Sequence, residues 1–128
     1  MGDRANFGIR QEDGNILYVY GHWAGEGMLS RFANALSRAE SRIPHDPSYG
    51  TRIIVSQLIG DDWRGELGWG ISINTMVDNE HKVPVYDFAT DTVTLFHFDW
   101  YQGIITDSLA EFTRDQFIAK YAKPLIGV

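Results

Sequence analysis

The chain has 128 residues, 44% of them hydrophobic and 13% aromatic, with a net charge of −6 and no cysteine. That describes one domain, too apolar for disorder and large enough to bury a core without metal or disulfide; the lack of thiols excludes thiolate zinc sites, iron–sulfur clusters and cysteine catalysis. The 11 Lys and Arg are scattered, so no basic stripe for duplex nucleic acid is expected, and neither an apolar leader nor a membrane-spanning run is visible.

Ala5, Phe7 and Ile9 alternate with Asn6, Gly8 and Arg10, which predicts a half-buried strand over 5–11. Asp13-Gly14 is a hairpin turn signal. Ile16 to His22 then predicts a second strand, apolar on both faces and therefore interior to a sheet. Gly25-Glu26-Gly27 breaks it. Met28, Phe32, Ala35, Leu36 and Ala39 recur at helical spacing and predict an amphipathic helix over 27–41. Asp46-Pro47 forms an N-cap and first-turn pair, and Gly60 is a stop. Residues 47–59 therefore read as a helix, against the β-branched run Ile53-Ile54-Val55 that favours a strand. Asp61 to Glu66 reads as a polar loop.

From Leu67 the chain reads as a meander. Trp69, Ile71 and Ile73 alternate with Gly68, Gly70, Ser72 and Asn74, giving one apolar face and one nearly bare face. Such a bare face admits a helix, another chain or a ligand. Asp78 to His81 reads as a turn, with strands over Val83–Phe88 and Thr92–Phe98. Leu109 to Phe112 reads as extended. Thr113 with Gln116 forms a capping box for a last helix ended by Pro124. The predicted order is strand-strand-helix-helix-three strands-helix. It describes a single α+β domain over 1–128, an antiparallel sheet of about five strands with helices packed on it.

The opening Gly2-Asp3-Arg4-Ala5-Asn6, the hairpin, and His22-Trp23-Ala24-Gly25 resemble a group of small bacteriophage and prophage proteins. Those begin with Gly-Thr-Arg-Ser/Ala-Asn and carry His-Trp-Asp-Gly after the second strand. The likeness covers about the first quarter of the chain by motif. Ala24 stands where the group has Asp, and Asp3 where it has Thr. The resemblance implies a phage or prophage origin and action in the bacterial host cytoplasm, and it implies no activity.

Candidate functional residues are isolated. His22 ends the second strand beside glycines; imidazole there can act as acid, base or hydrogen-bond partner. Trp23 and Trp69 can stack on a ring or base. Arg4 and Arg52 can meet an anion, although pairing of Arg52 with Asp61 or Asp62 is the blander expectation. Asp61-Asp62 and Asp78-Asn79-Glu80-His81 are the candidate metal clusters, oxygen-rich as Mg²⁺ or Ca²⁺ requires, or suited to a transition metal with His81 or His97; the blander expectation is solvated acidic turns, since the spacings of calcium loops and zinc helices are lacking. Nucleotide loops and nucleophile elbows are also lacking, so no cofactor is expected. Together these features point to a non-enzymatic phage accessory protein. It is expected to form a homo-oligomer and to bind a small anionic or nucleotide-derived ligand through Arg4, His22, Trp23, Arg52 and Trp69. Counter-defence by sequestering such a ligand is one version. The rivals are a metal-assisted hydrolase or nuclease using His22 with Asp61, Asp62 or Glu80, and an inhibitor that binds a host protein through Trp63, Trp100 and Tyr101.

Overall fold

The structure, a computed structural model describing residues 2–123, is α+β. Its strands are β1 (Ala5–Arg10), β2 (Ile16–Gly21), β3 (Trp69–Ile73), β4 (Val83–Asp87), β5 (Thr92–Asp99) and β6 (Ile104–Thr113). Its helices are α1 (Met28–Arg38), α2 (Pro47–Ile59) and α3 (Arg114–Tyr121), with a short 3-10 turn at Gly60–Arg64 after α2. The strands form one six-stranded sheet in the order β3-β2-β1-β4-β5-β6. None of the described helices is long and apolar enough to cross a membrane.

Two parts of the predicted architecture need correction. The sheet is mixed, because β1 pairs with β4 in parallel while every other neighbouring pair is antiparallel. It also gains β6, of which only Leu109 to Phe112 read as extended. β6 is an edge strand with most residues exposed, so its sequence, Ile-Ile-Thr-Asp-Ser-Leu-Ala-Glu-Phe-Thr, lacks the apolar periodicity that marks half-buried strands. The helices hold close to expectation. The Asp46 carboxylate accepts from Tyr49 N–H, capping α2 with Pro47 at its first turn. Thr113 and Gln116 complete the capping box of α3. Pro124, expected to end that helix, lies outside the described residues.

Alternation along the strands divides the sheet's side chains. Ala5, Phe7, Ile9, Val19, Tyr86, Val93 and Leu95 join Phe32, Leu36, Ile54, Leu58 and Phe117 in the main core under the helices. Phe32 stands between Phe7 and Phe117, with ring centroids 5.6 and 6.1 Å away. Truncating such a buried ring to Ala costs about 3–5 kcal/mol.

The opposite face has its own small core of Ile16, Tyr18, Met76, Val83 and Val85. It exists because of the topology. β3 and β4 run parallel with β2 and β1 between them, so residues 74–82 must return across that face. Asn74 N–H meets Ile16 O, Met76 N–H meets Gly103 O and Glu80 N–H meets Arg4 O. The fully buried Asn6 donates to the Asp78 carbonyl. What read as a turn at Asp78–His81 is the end of this strap. The bare face of β3 therefore receives a segment of its own chain: Gly70 and Ser72 line a recess with Val77 and Asp78 of the strap.

Candidate functional site

The His22-Trp23-Ala24-Gly25 stretch is a clamp on the residues before β1. His22 N–H donates to Gly68 O at 2.8 Å, and Asp3 N–H donates to His22 O at 2.8 Å. Gly25 N–H donates to Asp3 O at 2.9 Å. The β3-β2-β1 ladder thus continues one step past its strand ends. Ala24 is 1% exposed, inside the main core. At the position where the resembling phage group has Asp, a carboxylate would have to be buried in this chain, at considerable cost. His22 is a satisfied strand-end residue: Nδ1 is 2.9 Å from the Tyr20 hydroxyl, and the ring meets Trp23 edge-on at 4.5 Å.

The clamp brings together two residues that were not paired in the sequence reading. Asp3 Oδ1 lies 2.5 Å from His81 Nε2, joining the segment before β1 to the end of the strap. Gly25 faces this pair so closely that a Cβ there would overlap both Asp3 and His81. Beside it, Arg4 is fully engaged. Its backbone N–H and guanidinium Nε donate to Glu80 Oε1 at 2.9 and 3.1 Å, and its Nη1 lies 3.0 Å from Asp78 Oδ2. The backbone N–H of Arg4, then its guanidinium, hold the exposed Glu80 carboxyl below its usual range.

These pairs border a cleft of about 500 Å³. Met28 and Leu29 at the start of α1 form one wall, Leu95 and Phe98 of β5 another, and Glu80, His81, Lys82 and His97 supply the polar groups. Its acids have partners within the chain: Glu80 shares Arg4 with Asp78, and Asp3 beside it hydrogen-bonds His81. Lys82 and His97 have no ion pair or hydrogen bond among the described residues. α1 begins here after Gly27, which offers no capping side chain. A cleft with apolar walls and two free basic groups suits a small ligand carrying negative charge. Asp3 orients His81 as a carboxylate orients a general base. No hydroxyl or thiol lines the cleft, so a serine- or cysteine-type nucleophile is lacking among its lining residues.

The five residues expected to share one ligand fall in several places. Trp23 and Trp69 do meet, on either side of a second cleft of about 360 Å³. The polar groups there are Asp61 and Asp62, and Asp62 accepts from Trp69 Nε1 at 3.1 Å. This cleft repels an anion. Arg31 already stands over the Trp69 ring at 5.7 Å. Arg52 points outward from α2 and bonds Ser56 one turn on, at 3.3 Å, in place of the expected Asp61 or Asp62. Arg4, His22 and Arg52 thus share no cleft. Nor does His22 contact Asp61, Asp62 or Glu80 as the hydrolase reading requires, and among the described residues no three His, Asp or Glu side chains are grouped to hold a metal ion. Trp63, Trp100 and Tyr101, the anchors of the inhibitor reading, are 69%, 68% and 100% exposed.

Sequence reasoning missed the Asp3–His81 pair because its members lie at opposite ends of the pattern that suggested function. The available signal was Gly25, a glycine with no turn conformation to explain it. No family model matches the chain, and neither does any curated protein or solved structure.

Proposed function

We propose that the protein is a non-catalytic binder of a small anionic ligand with an apolar or planar body, held in the cleft between α1, β5 and the strap. The observation that carries this reading is electrostatic. In a chain of net charge −6, this cleft offers Lys82 and His97 unpaired while Glu80 and the neighbouring Asp3 already have partners in the chain. A phosphate or carboxylate would take a charge-assisted hydrogen bond from Lys82 and a hydrogen bond from the His97 ring, with His81 held in place by Asp3. Met28, Leu29 and Phe98 would cover the ligand's apolar part. Nucleotide-derived molecules have this chemistry. With the phage resemblance, sequestration of an immune nucleotide in a bacterial host is the concrete version.

The test is calorimetric titration with mono-, di- and cyclic nucleotides, alongside Lys82→Glu, His97→Glu and the double variant. Each lost charge-assisted contact is worth about 1.5–3 kcal/mol, or roughly 10- to 100-fold in Kd. Binding by the wild type, weakened by each variant and by added salt, supports the reading. Binding indifferent to both residues refutes it. The Asp3–His81 pair favours one rival, hydrolysis through a water activated by His81. Recovery of an altered ligand, lost in His81→Ala, would establish that rival.

A further inference from the structure

We infer that two copies of this chain pair along the free edge of β3, antiparallel and centred on Ile71, so that two six-stranded sheets become one. This inference does not rest on the ligand cleft. The backbone decides what the edge offers. His22 N–H donates to Gly68 O and Asn74 N–H to Ile16 O, at 2.8 and 2.7 Å. The Tyr20–Gly70 and Tyr18–Ser72 pairs fall between them in the same register. In an antiparallel ladder, inward-bonding and outward-bonding residues alternate. Gly68, Gly70, Ser72 and Asn74 therefore bond to β2, and Trp69, Ile71 and Ile73 turn their N–H and C=O groups away from the sheet. Of those groups, the Ile73 carbonyl has an internal partner, Thr75 N–H at 2.8 Å. The others form an open template for a strand.

Edges left open are normally blunted by charge, proline or a bulge. β6, the other edge, has two register shifts against β5 and carries Asp107 and Glu111. β3, with sequence Trp-Gly-Ile-Ser-Ile, has none of these. Ile71 and Ile73 are each 56% exposed. In a chain of net charge −6, copies repel unless they meet along an uncharged stretch, and β3 is one. The occupant is a second copy because the strand is self-complementary. A two-fold axis at Ile71 sets Ile71 against its own counterpart and Trp69 against Ile73. The two apolar stripes then fuse on one face of the joined sheet. Strand pairing alone covers less than the roughly 800 Å² per partner of a standard interface. Trp23, Trp63 and Leu67, at 66%, 69% and 85% exposure, extend the apolar surface next to it.

Sedimentation velocity over a micromolar dilution series tests the state of the wild type, which is expected to be a dimer that dissociates on dilution. Ile71→Lys places two ammonium groups face to face and is expected to raise the dimer Kd by at least about tenfold. The circular dichroism spectrum should be unchanged. Ile71→Cys supplies a positive test in a chain without cysteine. Directly opposed hydrogen-bonded residues have Cα atoms about 5.5 Å apart, within disulfide reach. Mild oxidation should link the Ile71→Cys chain into dimers and leave a Leu109→Cys control, on the β6 edge, unlinked. A wild type that stays monomeric overturns the inference. So does a dimer indifferent to Ile71→Lys, or an Ile71→Cys chain that links no faster than the control.

Discussion

Gly25→Ala isolates the steric demand at the centre of the clamp. The φ angle of Gly25 is not in the left-handed region, so alanine brings no backbone strain, and the effect must come from the added methyl group. That methyl would overlap the Asp3 carboxylate and the His81 ring. Both side chains are partly open to solvent, 44% and 34% exposed, so they swing outward more easily than the backbone shifts. The cost is then the lost pair, about 0.2–1 kcal/mol at such exposure, plus the low end of the about 1–3 kcal/mol typical of overpacking. The expected total is about 1–2 kcal/mol, or roughly 4–8 °C in Tm for a domain of this size. Equilibrium urea denaturation followed by tryptophan fluorescence measures it. The decisive comparison repeats the substitution in an Asp3→Ala/His81→Ala background, where the methyl has room. There the cost should fall by about 1 kcal/mol, a coupling typical of residues in contact. An equal cost in both backgrounds would refute the steric argument.

Two further tests address the fold. Asp91 sits at φ 54° and receives Arg114 Nε at 2.8 Å, a second Arg114 nitrogen at 3.2 Å and the Tyr86 hydroxyl at 2.7 Å. Asp91→Ala leaves the Arg114 guanidinium, 16% exposed, with only the longer Asp115 contact at 3.4 Å and leaves the buried Tyr86 hydroxyl unsatisfied. The expected loss is about 2–4 kcal/mol, and Asp91→Asn should cost less, since asparagine tolerates that backbone and still accepts from tyrosine. A loss below about 1 kcal/mol in urea denaturation would contradict this network's role. The second test is alkaline. Burial pushes the Tyr18 hydroxyl up to about 12; burial first, and then Asp91, push Tyr86 up further. Folded values above the unfolded 10.0 mean that this stabilisation is intact below that pH and is lost as pH rises through about 12. Phenolate absorbance should therefore show late-titrating tyrosines whose ionisation accompanies unfolding. Uniform titration near pH 10 with the fold intact would contradict it.

Local patterns in the chain were faithful to local structure. Asp46-Pro47 and Thr113–Gln116 marked helix starts because capping is a contact within four residues. The two-faced apolar pattern of Ile16 to His22 marked an interior strand because both of its faces are covered. Non-local relations left no such trace. Nothing in β1 or β4 distinguishes a parallel partner from an antiparallel one, and the strap over 74–82 follows from strand order alone. β6 was hidden by its own exposure. The sequence drew attention to the loop that forms the clamp, where His22 and Gly25 hold the segment before β1. It placed the chemistry on His22, whose imidazole is occupied by Tyr20, and not on His81, whose carboxylate partner lies at Asp3. A pairing between residues 78 positions apart in the chain cannot be read from spacing.

The central place of β1 also bears on how the chain reaches its native state during synthesis. β1 can pair with β2 almost as soon as both have left the ribosome. Its other side stays bare until Val83–Asp87 arrives, after both long helices and β3 have been made. Such long-range closure is slow. For that interval the nascent chain exposes the unpaired side of its most buried strand. The duration of that exposure is therefore set by the distance in sequence between the first and fourth strands, more than by the overall length of the chain.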